Sequence, residues 1–261
     1  MTVTTASAAY QRDDGIWVFP RDEFSCERFD YKPGHHIVFG GPSQRAGKTT
    51  LAFKLLEHTA TPEFPAWVAV CKPEDRVSAS EGRRLGFRRS ADYPPQKRLR
   101  DAFPENRPPG YLIWPDMSDP RTAMDNASAV TKRLIDGVYA DGAPPKRQKC
   151  ILVLDDTVTK SQVLGLDKPM VMVSTMSGAM GVGGWFFVQK PSDAGKAARW
   201  AYPNAEHVFI SKDPVQTNRE YYDGLSGMPR HTVEDAIPTL KPFQFLYIER
   251  THNYMCIVDS K

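Results

Sequence analysis

Short apolar runs alternate along the chain with polar stretches of helical period, the pattern of strands joined by helices. Ile37-Val-Phe39, Ala66–Cys71, Tyr111–Trp114, Cys150–Leu154, Gly184–Val188 and His207–Ile210 read as strands. Cys150-Ile-Leu-Val-Leu154 is apolar throughout, as a central parallel strand covered on both faces must be. Lys48 to His58 reads as a helix, with Leu51, Phe53 and Leu55 set among Lys54 and Glu57. Asp119-Pro120 signals a helix start, and Ala123, Ala127, Val130, Leu134 and Val138 follow at helical spacing. Phe243–Ile248 and Tyr254–Val258, around Thr251-His-Asn, form a predicted hairpin. The class is therefore α/β, a mainly parallel sheet with helices on both faces and a C-terminal β-hairpin. Residues 1–15 read as a tail before a first short strand at Ile16–Phe19, and 16–261 as one domain. Within it, 72–109 is a basic, proline-interrupted insertion or linker, and 243–258 is the terminal hairpin.

Composition narrows this little. The chain has 261 residues, 41% hydrophobic and 25% charged, ordinary for a globular domain with a substantial core. A net charge of +3 does not by itself argue for nucleic acid, so only its distribution can. The four cysteines, Cys26, Cys71, Cys150 and Cys256, are far apart, which favours free thiols over a zinc site or a disulfide framework. No apolar run approaches the roughly 18 residues of a membrane helix, and the N-terminus lacks the pattern of a secretory signal. A cytoplasmic setting, that of the host if the protein is viral, is the expectation.

The strongest chemical signal lies between the strand at 37–39 and the helix at 48–58. Gly40-Gly-Pro-Ser-Gln-Arg-Ala-Gly-Lys-Thr-Thr50 joins a buried strand to a helix, the context of a phosphate-binding loop. Gly41, Pro42, Ser43, Gln44, Arg45, Ala46, Gly47, Lys48, Thr49 and Thr50 would cradle the phosphates of ATP. Glycines let backbone N–H groups turn inward, and the positive helix N-terminus faces the anion. Lys48 would reach the β- and γ-phosphates and the Thr49 hydroxyl would bind Mg²⁺. The usual spacing places a glycine at position 42, which is Pro42; Gly41 lies one residue early, so the loop is one residue longer or begins without its first glycine.

Further on, the strand at 150–154 ends in Asp155-Asp156. Asp155 would hold the Mg²⁺ shell and Asp156 would orient the attacking water. Gln189, ending the next strand, either reaches the γ-phosphate beside Asp156 or is a polar strand cap.

These elements resemble the FtsK–HerA branch of P-loop ATPases, and most closely its small phage-type and actinobacterial members. The resemblance is carried by Tyr31-Lys-Pro-Gly-His-His-Ile-Val-Phe-Gly-Gly-Pro42, Val70-Cys-Lys-Pro-Glu-Asp75, Leu85-Gly-Phe-Arg88, Tyr93-Pro-Pro95, Tyr111-Leu-Ile-Trp-Pro115, Leu154-Asp-Asp156, Val188-Gln-Lys-Pro191 and Pro229-Arg-His231 with Phe245–Ile248. It implies a RecA-like core, Mg·ATP hydrolysis, Gln189 as polar sensor, a homo-oligomeric ring (hexamer or pentamer), and double-stranded DNA drawn through it. A viral genome-packaging motor, working at a capsid or portal vertex, is one form of that function. The family's arginine before the fifth strand has no counterpart in Met176–Gly184, which implies slow hydrolysis or a substitute among Arg45, Arg199 and Arg230.

Arg83, Arg84, Arg88, Arg89, Lys97, Arg98 and Arg100 crowd one stretch with Phe87 and Tyr93 interleaved. They would track a DNA backbone, or else form a solvated face or a subunit contact. The glycine-rich stretch Ser177–Gly184 offers backbone freedom for a moving loop, or merely a tight turn. Beside a DNA translocase, two other functions fit: a nucleotide-binding structural or regulatory protein with weak hydrolysis, and a small-molecule P-loop kinase.

Overall fold

A computed structural model describes residues 8–42, 46–96, 98–99, 103–189 and 196–260. Its strands are β1 (Tyr10–Gln11), β2 (Trp17–Pro20), β3 (Ile37–Gly40), β4 (Ala66–Ala69), β5 (Arg88–Ser90), β6 (Gly110–Ile113), β7 (Cys150–Leu154), β8 (Val182–Val188), β9 (His207–Ser211), β10 (Gln244–Glu249) and β11 (Tyr254–Asp259). The helices are α1 (Arg21–Glu23), α2 (Lys48–Thr59), α3 (Arg76–Arg84), α4 (Ala123–Gly142), α5 (Asp167–Met176), α6 (Lys196–Asn204), α7 (Gln216–Ser226) and α8 (Thr232–Ala236).

All the strands join one sheet in the order β1-β2-β11-β10-β9-β3-β8-β7-β4-β6-β5. From β9 to β5 every pairing is parallel; β10 runs antiparallel to β9 and forms the hairpin with β11. Residues 10–11, within the expected tail, pair with Trp17–Val18. The stretch 72–109 is built into the sheet, contributing α3 and the edge strand β5.

Strand alternation divides the core in two. Ile37, Phe39, Ile151, Val153, Trp185 and Phe187 face Leu51, Phe53, Leu55 and Leu56 of α2. Val38, Leu152, Leu154, Phe186 and Val188 face Leu134 and Val138 of α4, Met170 and Val173 of α5, and Tyr202 of α6. The helix expected from Asp119-Pro120 begins later, at Ala123. Asp119 spends its carboxylate on the Arg121 amide (2.9 Å), and its carbonyl accepts the amides of Thr122 (3.1 Å) and Ala123 (2.9 Å), a turn preceding the helix. The glycine-rich stretch also has a packing reason: Gly183 and Gly184 lie inside buried β8, and a Cβ at Gly183 would sit 1.9 Å from the Tyr31 hydroxyl.

Where β3 and β9 begin, His35 Nδ1 meets His207 Nε2 at 2.9 Å, and His207 Nδ1 meets the Tyr247 hydroxyl at 2.8 Å. Burial, reinforced by His35 and opposed by Glu249 and Asp30, pushes His207 down to about 3. His36 is lowered too, chiefly by burial, and its Nδ1 accepts the Gly184 amide (2.8 Å). A histidine depressed in the fold is protonated first in the unfolded chain. Its stabilisation is therefore complete above the unfolded value of about 6.5 and drains away as pH falls toward the folded value. Urea unfolding at pH 5 should show a loss of about 2 kcal/mol from His207 alone relative to pH 7. His207→Gln should flatten that part of the profile; an unchanged slope would mean His207 is not its source.

Candidate functional site

The C-terminal ends of β3, β8, β7 and β4 lie side by side. Whatever follows each strand therefore meets in one crevice, where open parallel sheets bind ligands. β3 delivers the loop and α2, β8 delivers Gln189, β7 delivers Asp155 and Asp156, and β4 delivers Lys72. A cleft of about 400 Å³ opens there, with Ala46, Gly47, Lys48, Thr49 and Thr50 on one wall and Lys72, Asp155, Asp156 and Gln189 on the other.

Two glycines shape the loop. Gly41 leaves β3 at φ +109°, and a Cβ there would lie 2.2 Å from Ser211 Oγ. Gly47 holds φ +84° at the point where α2 starts, a conformation that side chains resist. Lys48, the first residue of α2, is buried, and its ammonium donates to the main-chain oxygens of Gly41 (2.6 Å) and Pro42 (3.0 Å). Burial pushes Lys48 down to about 8, against the pull of Asp155 and Asp156. The lysine is thus folded back onto its own loop, on carbonyls that an anionic phosphate can outcompete.

The acids opposite are held differently. Asp155 is buried; its Oδ1 accepts the Asp156 amide (2.9 Å), and its Oδ2 lies 3.5 Å from Lys72 Nζ. Partial burial opposes the charge on Lys72, but Asp155 and Asp156 hold it above its ordinary value. Asp156 sits at φ +50°, where its Oδ1 accepts from Gln189 Nε2 (3.3 Å) and the Thr159 amide (3.3 Å). Beneath them, fully buried Lys160 donates to the main-chain oxygen of Asp155 and lies 3.4 Å from Cys71 Sγ. The turn carrying the acids is therefore fastened from below, leaving the carboxylates to face the cleft.

Of the residues expected from the sequence, Ala46, Gly47, Lys48, Thr49, Thr50, Asp155, Asp156 and Gln189 converge on this cleft, with Gly41 and Pro42 against Lys48. Ser43, Gln44 and Arg45 lie outside the described residues, as do Lys97 and Arg100. The basic stretch is spread over several elements. Arg83 and Arg84 end α3, and Arg84 pairs with Glu57 and Glu81, each at 2.9 Å. On β5, Arg88 donates to the Asn106 carbonyl and Arg89 stacks over Trp114, 4.2 Å from the ring centre. Arg98 lines a separate groove with Trp67 and Tyr111. Phe87 and Tyr93 are buried, so the aromatic residues interleaved with these arginines serve the core. Among the described residues no arginine lines this cleft; Lys72 is the cation there besides Lys48.

Sequence reading missed Lys72, Lys160 and Phe243 at the site. Lys72 was within reach of it, because a polar residue just beyond a parallel strand points to the same crevice as the acids. Phe243 had no such signal: it precedes β10 and reaches the cleft only through the sheet order.

No protein-family model and no curated protein matches this sequence. Solved structures do match. The DNA-packaging ATPase B204 of Sulfolobus turreted icosahedral virus superposes with a TM-score of 0.58 at 14% identity, over 88% of this chain and all of that one. The chain shares the fold of that ATPase. The B204 genome-packaging NTPase of Sulfolobus turreted icosahedral virus 2, in complex with AMPPCP, matches at TM-score 0.55 and 13% identity over 88% of this chain and 98% of its own. The cytoplasmic domain of the Thermomonospora curvata type VII secretion ATPase EccC matches at 0.55 and 15%, over 97% of this chain but only 28% of its own length.

Proposed function

We propose that the chain is an Mg·ATP-hydrolysing motor that moves double-stranded DNA, acting as a homo-oligomeric ring of the genome-packaging type. The observation carrying the hydrolytic part is the contact of Gln189 with Asp156 across the cleft from Lys48. So held, the carboxylate would orient a water toward the terminal phosphate, which suits hydrolysis better than transfer to a second substrate. Lys48 would exchange its loop carbonyls for phosphate oxygens. The Thr49 hydroxyl and the Asp155 carboxylate are hard oxygen donors of the kind Mg²⁺ takes. Bound there, Mg²⁺ would supply charge neutralisation between the phosphate oxygens. Displaced from Asp155, Lys72 would be left free to turn toward phosphate.

The DNA part is supported by the match to B204 along that protein's whole length, against a match to a small part of EccC. In a ring a neighbouring copy would bring an arginine to the cleft, which among the described residues has none; Arg45 of the loop itself lies outside them. The four free cysteines suit a reducing, cytoplasmic setting.

ATP turnover with and without nucleic acid tests this. Long duplex DNA should raise turnover, and single strands should raise it less. Arg83→Glu, on the exposed end of α3, should weaken duplex binding without changing ATP affinity. Because phosphate contacts release counterions, binding should fall steeply with salt, with a shallower slope in the variant. Turnover indifferent to duplex, with no salt-sensitive binding, would sink the DNA claim. Stimulation by an unfolded polypeptide instead would favour a secretion motor.

A further inference from the structure

We propose that Phe243 is the platform on which the base of the bound nucleotide stacks, making this cleft selective for purine nucleoside triphosphates over pyrimidine ones. The inference rests on the nucleotide-binding role proposed above and names the part of the ligand that the phosphate loop leaves unaddressed.

Phe243 is 43% exposed and ends the exposed stretch 241–243, while the β10 residues that follow it, Gln244 and Phe245, are buried. Its ring opens onto the cleft beside Gly47 and Lys48. The contact with the loop is close: a Cβ at Gly47 would lie 3.3 Å from Phe243 Cδ1, so a glycine there admits the ring edge. Its backbone is held at φ +67°, a region that bulky side chains avoid and that concentrates at ligand-binding sites.

That conformation persists because both hairpin strands pin the turn. The Phe243 carbonyl accepts the Ser260 amide (2.9 Å), and the Gln244 amide donates to the Lys241 carbonyl (3.1 Å). Gln244 Oε1 accepts the Lys241 amide (3.0 Å) and its Nε2 donates to Asp259 Oδ2 (3.2 Å). Nothing in this packing calls for an exposed phenyl ring. A polar residue or glycine would satisfy the same backbone bonds at less strain.

Topology says what the ring is for. β10 lies beyond β9, on the side of β3 opposite to β8 and β7. The loop leaves β3 in the middle, the acids stand on one flank and Phe243 on the other. A triphosphate laid along the loop with its terminal phosphate toward Asp155 and Asp156 must carry its nucleoside toward Phe243. A flat apolar ring offers stacking to any base and most to the larger purine surface, with no hydrogen-bond code to separate adenine from guanine.

Competition binding on the full chain, using Mg²⁺ with ATP, GTP, CTP or inorganic tripolyphosphate against a fluorescent nucleotide, tests the assignment. Phe243→Ala should weaken ATP and GTP about tenfold, the scale of one base–aromatic stack, and leave tripolyphosphate unchanged. Phe243→Tyr should bind ATP within about twofold of the parent, since the stacking face is kept. Phe243→Leu, apolar but not flat, should resemble Phe243→Ala. Phe243→Gly, at ease at this φ, guards against a folding defect and should also lose only the base-dependent affinity. In Phe243→Trp, ATP should quench the indole emission and tripolyphosphate should not. Equal loss of ATP and tripolyphosphate in Phe243→Ala, or full ATP affinity in Phe243→Leu, would overturn the platform. A parent chain that binds CTP or tripolyphosphate as tightly as ATP would overturn it too, leaving the phosphate loop intact. A parent that binds neither would instead overturn the nucleotide-binding role beneath it.

Discussion

Lys48→Ala should lower ATP turnover by about 10²–10³-fold, the usual cost of removing one preorganised donor to a transferring phosphoryl group. Lys48 is the cation of the strand–loop–helix junction proposed to hold the phosphates, and in its place alanine offers no donor. Nucleotide affinity should fall as well, by about 2 kcal/mol or some 30-fold, for the loss of charge-assisted bonds. The fold should survive, because the variant removes a buried ammonium whose partners, the Gly41 and Pro42 carbonyls, lie at the rim of an open cleft. Protonation gives a second signature. Burial holds Lys48 at about 8. A bound polyphosphate favours the charged form, so ATP affinity should weaken as pH rises through about 8, with proton uptake on binding. Titration calorimetry in buffers of different ionisation enthalpy reads that uptake directly. Full ATP affinity in Lys48→Ala would mean that the loop is not the phosphate site.

Asp156→Asn should behave differently, with turnover down about 10²–10⁴-fold, the range for a lost proton acceptor, and ATP affinity nearly unchanged. Asparagine is the substitution that isolates the charge. It tolerates the left-handed backbone that Asp156 adopts at φ +50°, and its amide oxygen can still accept from Gln189 and the Thr159 amide. Asp155, which shares its Oδ1 with the Asp156 amide and faces Lys72, is left in place. Single-turnover hydrolysis and equilibrium binding, measured side by side with Lys48→Ala, separate the two roles. A loss of affinity in Asp156→Asn as large as that in Lys48→Ala would make Asp156 a ligand of the bound nucleotide or its metal.

The junction Gly40–Thr50 and the strand Cys150–Leu154 ending in two acids were legible from the sequence, because each is a contiguous segment whose meaning is local. A buried strand announces itself by unbroken apolar residues, and β7 has the bounds that its pattern predicts. The hairpin was legible for the same reason. β5 was not: Arg88-Arg89-Ser90 carries no strand pattern, and its place at the sheet edge comes from hydrogen bonds to β6 and from Arg89 lying over Trp114. The start of α4 was misplaced because Asp119 has two uses for its oxygens, and only the folded chain shows that it closes a turn.

By itself, then, the sequence determined the fold class, the strand–loop–helix junction with its lysine and the two strand-end acids, since backbone curvature, a loop lysine and a strand-end carboxylate are properties of neighbouring residues. The tertiary structure alone decided what meets them. The order β10-β9-β3-β8-β7-β4 puts Gln189 between loop and acids, Lys72 on Asp155, and Phe243 on the far flank. Burial, the other half of the decision, depends on every packed neighbour at once. It made Phe87 and Tyr93 core residues rather than surface aromatics, and fastened Lys160 beneath the Asp155 carbonyl. Strand order and burial are set by contacts between residues far apart in the chain, which no local pattern records.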